Sequence, residues 1–181
     1  LKRFVADWEW EKEGKIDLGK MPSNENNKHK VAVIGSGPAG LTVAYELARK
    51  GYKVTIFDAL PVAGGMLAVG IPQYRLPNDV LAREINAILE MGVELKLNTT
   101  VGKDISFEEL RKNYDAVFIG VGAHKSKKLN IEGEELNGVI PGVDFLREVN
   151  ISPETVRAVF TGRNFFIIKS QLYDYFRGNT S

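Results

Sequence analysis

Val31 to Asp58 reads VAVIGSGPAGLTVAYELARKGYKVTIFD, and the order of residue types predicts a strand, a glycine turn, a helix and a second strand ending on an acid. Val31 to Ile34 is a continuous apolar run, as a parallel strand buried on both faces requires. In the turn, Gly35 permits a sharp change of direction, Gly37 leaves no side chain between the backbone and a pyrophosphate, and Gly40 lets the helix lie close to the strand. Pro38 suits the first helical position, where its missing N–H has no intrahelical partner to lose. Leu41, Ala44, Leu47 and Ala48 then form an apolar stripe that can lie on a sheet. The N-terminal end of that helix, at Ser36 to Ala39, favours an anion through its unpaired N–H groups and its dipole. Gly51 closes the helix and Lys53 to Phe57 forms the next strand. Asp58, eighteen residues after Gly40, stands where a carboxylate can accept a ribose hydroxyl. The stretch is therefore expected to bind a dinucleotide. The competing reading is a glycine-rich turn in an empty sheet of the same shape.

The fingerprint does not separate NAD from FAD, because both carry the adenosine diphosphate half that this unit holds. A second stretch, Gly64 to Pro77, reads GGMLAVGIPQYRLP. Three glycines and two prolines in fourteen positions make it too punctuated for a plain helix or strand. Such a loop brings bare backbone and the side chains of Met66 and Leu67 against something flat. As a surface crossover it would leave Met66, Leu67, Val69 and Ile71 exposed together, which is costly.

With YDAVFIGVGA at Tyr114 to Ala123 added, the three stretches resemble the FAD-binding domain of the small (beta) subunit of NADPH-dependent glutamate synthase. Related flavin domains occur in dihydropyrimidine dehydrogenase and in the large subunit of NADH-dependent ferredoxin:NADP oxidoreductases. The likeness covers about Leu1 to Asn150 and is far more specific in the GGMLAVGIP loop than in the glycine fingerprint. It implies a Rossmann-like α/β domain with a central parallel sheet, partial in extent, and FAD as the cofactor. By the resemblance, Ser36, Gly37, Pro38 and Ala39 hold the pyrophosphate and Asp58 the adenosine ribose, where the family more often has Glu. Gly65, Met66, Leu67 and Arg75 line the pyrophosphate, ribityl and flavin side, and Val101 meets the adenine edge. Gly120, Val121, Gly122 and Ala123 match the second flavin-contacting strand end, usually A-T-G-A, with the Thr hydroxyl gone.

The departures matter as much. The family usually begins with a cysteine-rich domain carrying two iron–sulfur clusters, whereas this chain has no Cys, so thiolate-held clusters and disulfides are both excluded. LKRFVADWEW resembles the segment that follows that domain. The family also inserts a second Rossmann unit for NADPH at the point matching Asn150, yet no second glycine fingerprint occurs from Ile151 to Ser181. The organisation expected is an N-terminal helix and linker over 1–30, an FAD-binding domain over 31–150, and a tail of unassigned role over 151–181.

Composition fits one modest domain with a tail: 181 residues and a net charge of +1, which gives no general electrostatic attraction to nucleic acid or anionic membrane. No apolar run approaches the roughly 20 residues of a membrane span, and no signal peptide opens the chain, so cytoplasmic residence is expected. Leu1 to Glu11 is read as an amphipathic helix with Phe4, Val5 and Trp8 on one side, to pack in the core or against a further domain. Gly14 to His29 is a polar linker. Asn78 caps a helix running to Met91 and stopped by Gly92, with Val80, Leu81, Ile85, Ile88 and Leu89 inward. Val93 to Leu97 is a third strand, Ser106 and Glu109 form a capping box for a helix to Lys112, and Ala116 to Val121 is another buried strand. In the tail, Ser152 to Thr155 reads as a helix start, followed by an aromatic and β-branched run.

No catalytic residue and no metal cluster can be named. His29 and His124 lie in lysine-containing polar stretches, and there is no thiol and no nucleophile elbow. That pattern suits a flavoprotein, in which the cofactor performs the redox chemistry and the protein supplies position. The expected function is an FAD-binding oxidoreductase domain or subunit relaying electrons between NAD(P)H and another redox centre. The nicotinamide cofactor would be held by a partner or a missing domain, so the chain is not expected to be competent alone. The alternative is a truncated, non-catalytic module that docks a partner.

Overall fold

Parallel strands need crossover connections, and the chain supplies a helix or a longer crossover after each strand. The structure, a computed structural model, describes residues 2–14, 16, 18 and 28–151. In chain order these form α1 (Lys2–Glu13), β1 (Lys30–Ile34), α2 (Pro38–Arg49), β2 (Lys53–Phe57), α3 (Met66–Val69), α4 (Asn78–Glu90), β3 (Glu94–Lys96), α5 (Phe107–Asn113), β4 (Ala116–Ile119) and α6 (Gly142–Ile151). The tail beyond Ile151 and most of the linker lie outside the described residues. Two units are distinguished: Leu1–Gly65 with Asn78–Gly122, and Met66–Pro77 with the described part of Ala123–Ser181.

The first unit is built on a four-stranded parallel sheet of order β3-β2-β1-β4, with Val33 opposite Ile56 on one side and Phe118 on the other. Val31 to Ile34 are all buried, as the apolar run requires. One face carries Ala32, Ile34 and Phe57 with Leu110 of α5, and Val101, Ile105, Tyr114 and Val117 pack around them. The Phe57 and Tyr114 rings meet edge to face at 5.9 Å. On the other face α2 lies against β1 and β2 with Gly40, Leu41, Ala44 and Ala48 buried. Gly51, at φ +82°, closes the helix, its N–H donating to the Ala48 carbonyl at 2.8 Å. The capping box forms as read: the Ser106 hydroxyl accepts from the Glu109 N–H and the Glu109 carboxylate accepts from the Ser106 N–H, which holds Glu109 below the usual carboxylate range.

Four expectations change. The last strand ends at Ile119 and is not buried, since Ile119 and Val121 are 59% and 53% exposed. Among the described residues β4 has a neighbour only on the β1 side. The third strand is shorter than Val93 to Leu97, because it too stands at the end of the sheet order. α1 does not bury Phe4, Val5 and Trp8, which are at least half exposed. It is attached to α4 by its other side, with Arg83 4.0 Å from Asp7 and over the Trp10 ring at 4.6 Å. Last, the Gly64 to Pro77 loop contains one turn of helix, α3, in the stretch between its glycines.

Candidate functional site

The fingerprint turn follows the C-terminal end of β1, where open α/β sheets receive their ligands. Gly35 has φ +102°, and its N–H donates to the Phe57 carbonyl at 2.7 Å, joining the turn to the end of β2. A methyl group there would sit 2.5 Å from the Gly120 carbonyl oxygen. A methyl on Gly40 would run into the Gly35 carbonyl oxygen and press on Val33. These two glycines are thus required by the fold itself, because β1, β4 and α2 approach too closely for a side chain.

Gly37 is different. Its φ of −71° and ψ of −179° suit any residue. Among the described residues a methyl there would meet nothing nearer than the Cα of Gly65, at 4.0 Å. Neither backbone conformation nor packing among the described residues demands glycine, so the missing side chain keeps open a space that none of them fills. Gly37 is the N-cap of α2 and has no side chain with which to cap it; Pro38 follows at the first position. The amides of the first turn therefore face that space without a side-chain acceptor, as an anion site needs.

Ser36 and Asp58 hold this turn from behind. Ser36 is fully buried and Asp58 is 8% exposed. The Asp58 carboxylate accepts from the Ser36 N–H at 2.6 Å, from the Ser36 hydroxyl, and from the Leu60 N–H at 2.9 Å. The Ser36 carbonyl in turn accepts from Gly64 N–H at 3.0 Å. Gly65 has φ +55°, and a methyl on it would lie 2.8 Å from the Gly37 Cα. The two glycine stretches are therefore laid backbone to backbone. Sequence reasoning placed Asp58 against a ribose but missed that three of its roughly four acceptor positions are used within the protein, two on Ser36 of the turn and one on Leu60. No local signal joins Ser36 to Asp58, which stand 22 residues apart in sequence and meet only in the fold, where a buried hydroxyl needs a partner. Asp58→Ala should accordingly cost on the order of 3–5 kcal/mol of stability, by orphaning three donors. A urea melt of the variant measures this, and Asp58→Asn should lie between it and the wild type.

The other candidates of the first unit lie nearby in sequence or pairing. The Gly120 N–H donates to the Ile34 carbonyl at 2.8 Å, which puts Gly120, Val121 and Gly122 just past the end of β4 next to the turn. Gly122 takes φ +68°. Val101 bridges to Ile105 and packs on the Ala32 cluster, two residues after Thr99, whose N–H donates to the Asp58 carbonyl at 2.8 Å. In the second unit, Val69 of α3 is fully buried, Met66 and Leu67 are half-buried, and Arg75 is exposed. α6, which the sequence reading did not assign, packs against α3. A separate cleft of about 390 Å³, lined by Lys30, Lys53, Thr55, Glu94 and Tyr114, opens at the opposite, N-terminal ends of the strands. Among the described residues no helix is long and apolar enough to cross a membrane.

A parallel sheet, a glycine turn tied to the next strand's acid, and an uncapped helix end define one half of a Rossmann-type dinucleotide-binding domain. The family model for pyridine nucleotide-disulphide oxidoreductases matches residues 29–160, and the chain belongs to that family. The NADP(+)-dependent formate dehydrogenase beta subunit of Moorella thermoacetica is 50% identical across 83% of this chain and 24% of its own length. The NADPH glutamate synthase small chain of Escherichia coli K12 is 41% identical across 81% of this chain and 30% of its own length. Among solved structures, Mycobacterium tuberculosis FprA in complex with NADPH superposes with a TM-score of 0.64 at 28% identity, covering 71% of this chain and 30% of that one. The resemblance drawn from the motifs therefore holds, and the chain spans only 24% to 30% of the length of these curated relatives.

Proposed function

We propose that this chain is the FAD-binding portion of a flavin oxidoreductase that relays electrons between NAD(P)H and a second redox centre. The observation that carries this reading is the open space at Gly37, a glycine that neither conformation nor packing requires, beside an uncapped helix end. The relatives named for NADP(+) or NADPH reactions support the nicotinamide half of it.

FAD, when bound, accepts a hydride equivalent and releases electrons onward; the chain's residues position it. Gly35 and Gly40 keep the turn close to the sheet, and the turn from Ser36 to Ala39 carries the pyrophosphate through the N–H groups of Gly37 and Ala39, since the Ser36 N–H is held by Asp58 and Pro38 has none. Asp58 offers its remaining acceptor position to the adenosine ribose, with Val101 at the adenine edge. Gly65, Met66, Leu67 and Arg75 take the ribityl and ring side, and Gly120, Val121 and Gly122 meet the flavin through backbone. The purified chain should be yellow and release FAD on denaturation. Colourless protein that cannot be reconstituted with FAD would overturn the reading in favour of a non-catalytic docking module.

The nicotinamide site belongs to a partner or a further domain, so the chain alone should not oxidise NADPH in steady state even when it holds FAD. Hydride transfer needs the nicotinamide within about 3–3.5 Å of its acceptor in fixed orientation, an effect worth roughly 7–11 kcal/mol of barrier. The single glycine fingerprint is already committed to FAD. Saturable turnover at rates of order 10 per second, about the enzyme median, would refute this.

A further inference from the structure

α6 carries two polar side chains on one face, Arg147 and Asn150, three residues apart. Each bonds a backbone carbonyl in a different stretch of chain. The Asn150 amide donates to the Val69 carbonyl at 3.1 Å and to the Leu146 carbonyl at 3.0 Å. Arg147 donates from Nη2 to the His124 carbonyl at 3.0 Å and from Nη1 to Asp144 at 3.3 Å. Val69 is the last residue of α3, and His124 directly follows the Gly120 to Ala123 strand end.

We infer that α6 is a brace for α3 and for the stretch that begins at His124, with Asn150 and Arg147 as its positioning residues. The inference rests on the reading that Met66 and Leu67 face FAD. A helix of one turn has no stability of its own, and α3 closes one turn bond, from the Gly70 N–H to the Met66 carbonyl at 3.0 Å. Its remaining carbonyls need outside donors. Asn150 supplies one where Val69 and Val149 are both buried. The orientation of the Asn150 amide follows from chemistry, since turning it over would set its oxygen against two carbonyl oxygens. Its Oδ1 is buried with no hydrogen-bond partner among the described residues. An apolar residue would avoid that cost, so what the position uses is the pair of donors. The placement of α3 then depends on one amide in the second unit rather than on the loop's own sequence.

Backbone amide exchange of the full chain tests the brace, comparing wild type with Asn150→Ala, Asn150→Asp, Arg147→Ala and the exposed control Glu148→Ala. The Asp variant keeps the volume but presents oxygens to two carbonyls. Asn150→Ala and Asn150→Asp should speed exchange over residues 66–70 by roughly tenfold, the size expected when a buried carbonyl loses its donor. Both should also weaken FAD retention and shift its visible bands. Arg147→Ala should act on the segment after Ala123 and leave 66–70 unchanged, and Glu148→Ala should change neither. Unchanged protection at 66–70 in both Asn150 variants overturns the brace, as does a uniform acceleration that includes β1, which would mark Asn150 as a general stability residue. Colourless wild-type protein with local acceleration at 66–70 overturns the FAD reading and supports the brace. Yellow protein with unchanged exchange does the reverse.

Discussion

Gly40→Ala should destabilise the fold severely, whereas Gly37→Ala, the same chemical change three residues earlier, should leave it intact. The added methyl at position 40 points into the Gly35 carbonyl oxygen and against Val33, both on the strand and turn that α2 must touch. Backbone cannot rotate away as the end of a flexible side chain would, so α2 has to lift off β1. The cost should exceed about 3 kcal/mol, the upper part of the range for overpacking a core. That is a large share of the roughly 5–15 kcal/mol that separates a domain from its unfolded state. At position 37 the new methyl meets only the Gly65 Cα, at ordinary contact distance, in a conformation open to every residue. Stability there should stay within about 1 kcal/mol of wild type, since a less flexible unfolded chain offsets a poorer helix cap. Thermal melts of the two variants side by side make the comparison. Equal losses would mean that the strand and helix do not approach as closely as described.

Gly37→Val should remove FAD from a protein that still folds. The branched side chain enters the space beside the helix end, and an anion held by backbone amides must come within hydrogen-bond distance of them. A valine in that path prevents the approach rather than weakening it, so the flavin co-purifying with the variant should fall below about a tenth of wild type while its far-ultraviolet circular dichroism is unchanged. The retained fold is what gives the measurement its meaning, and the 4.0 Å clearance to Gly65 is why it is expected. A folded variant with full flavin content would show that the phosphates bind elsewhere.

The parts of this protein that the sequence made legible are those in which local chemistry and the final packing ask for the same residue. The β1 to β2 stretch is one, since its apolar run, glycines and terminal acid each answer a local demand. The Ser106 and Glu109 box is another. The failures come where a neighbour decides. Ala116 to Ile119 has the composition of a central strand but stands at the end of the sheet order, which no local pattern reports. Phe4, Val5 and Trp8 form a stripe that looks inward, yet α1 is fastened by Arg83 from seventy-odd residues away. α3 was hidden by the glycines that bound it. α6 carries a signal, with Val143, Leu146 and Val149 at three-residue intervals, but Pro141 before its first residue offers no capping side chain. In the candidate site the fingerprint glycines are legible in the sequence, whereas the difference between Gly37 and its two companions depends on what packs around each of them. The second duty of Asp58 likewise depends on the fold.

The strand order also has a history in time. β1 lies in the middle of the sheet, between β2, which follows it closely, and β4, which begins at Ala116. The Lys30 N–H bonds the Asp115 carboxylate across a separation of 85 residues. No hairpin shortens the route, because every pairing in the sheet is parallel. Closing such distant contacts is slow, and a chain leaving the ribosome at about 5–20 residues per second passes many seconds with β1 made and one flank unmatched. During synthesis, then, the glycine turn hangs from a strand that has no partner on the Gly120 side. A ribosome that stalled before Ala116 would release a chain carrying the whole fingerprint with no strand to close it.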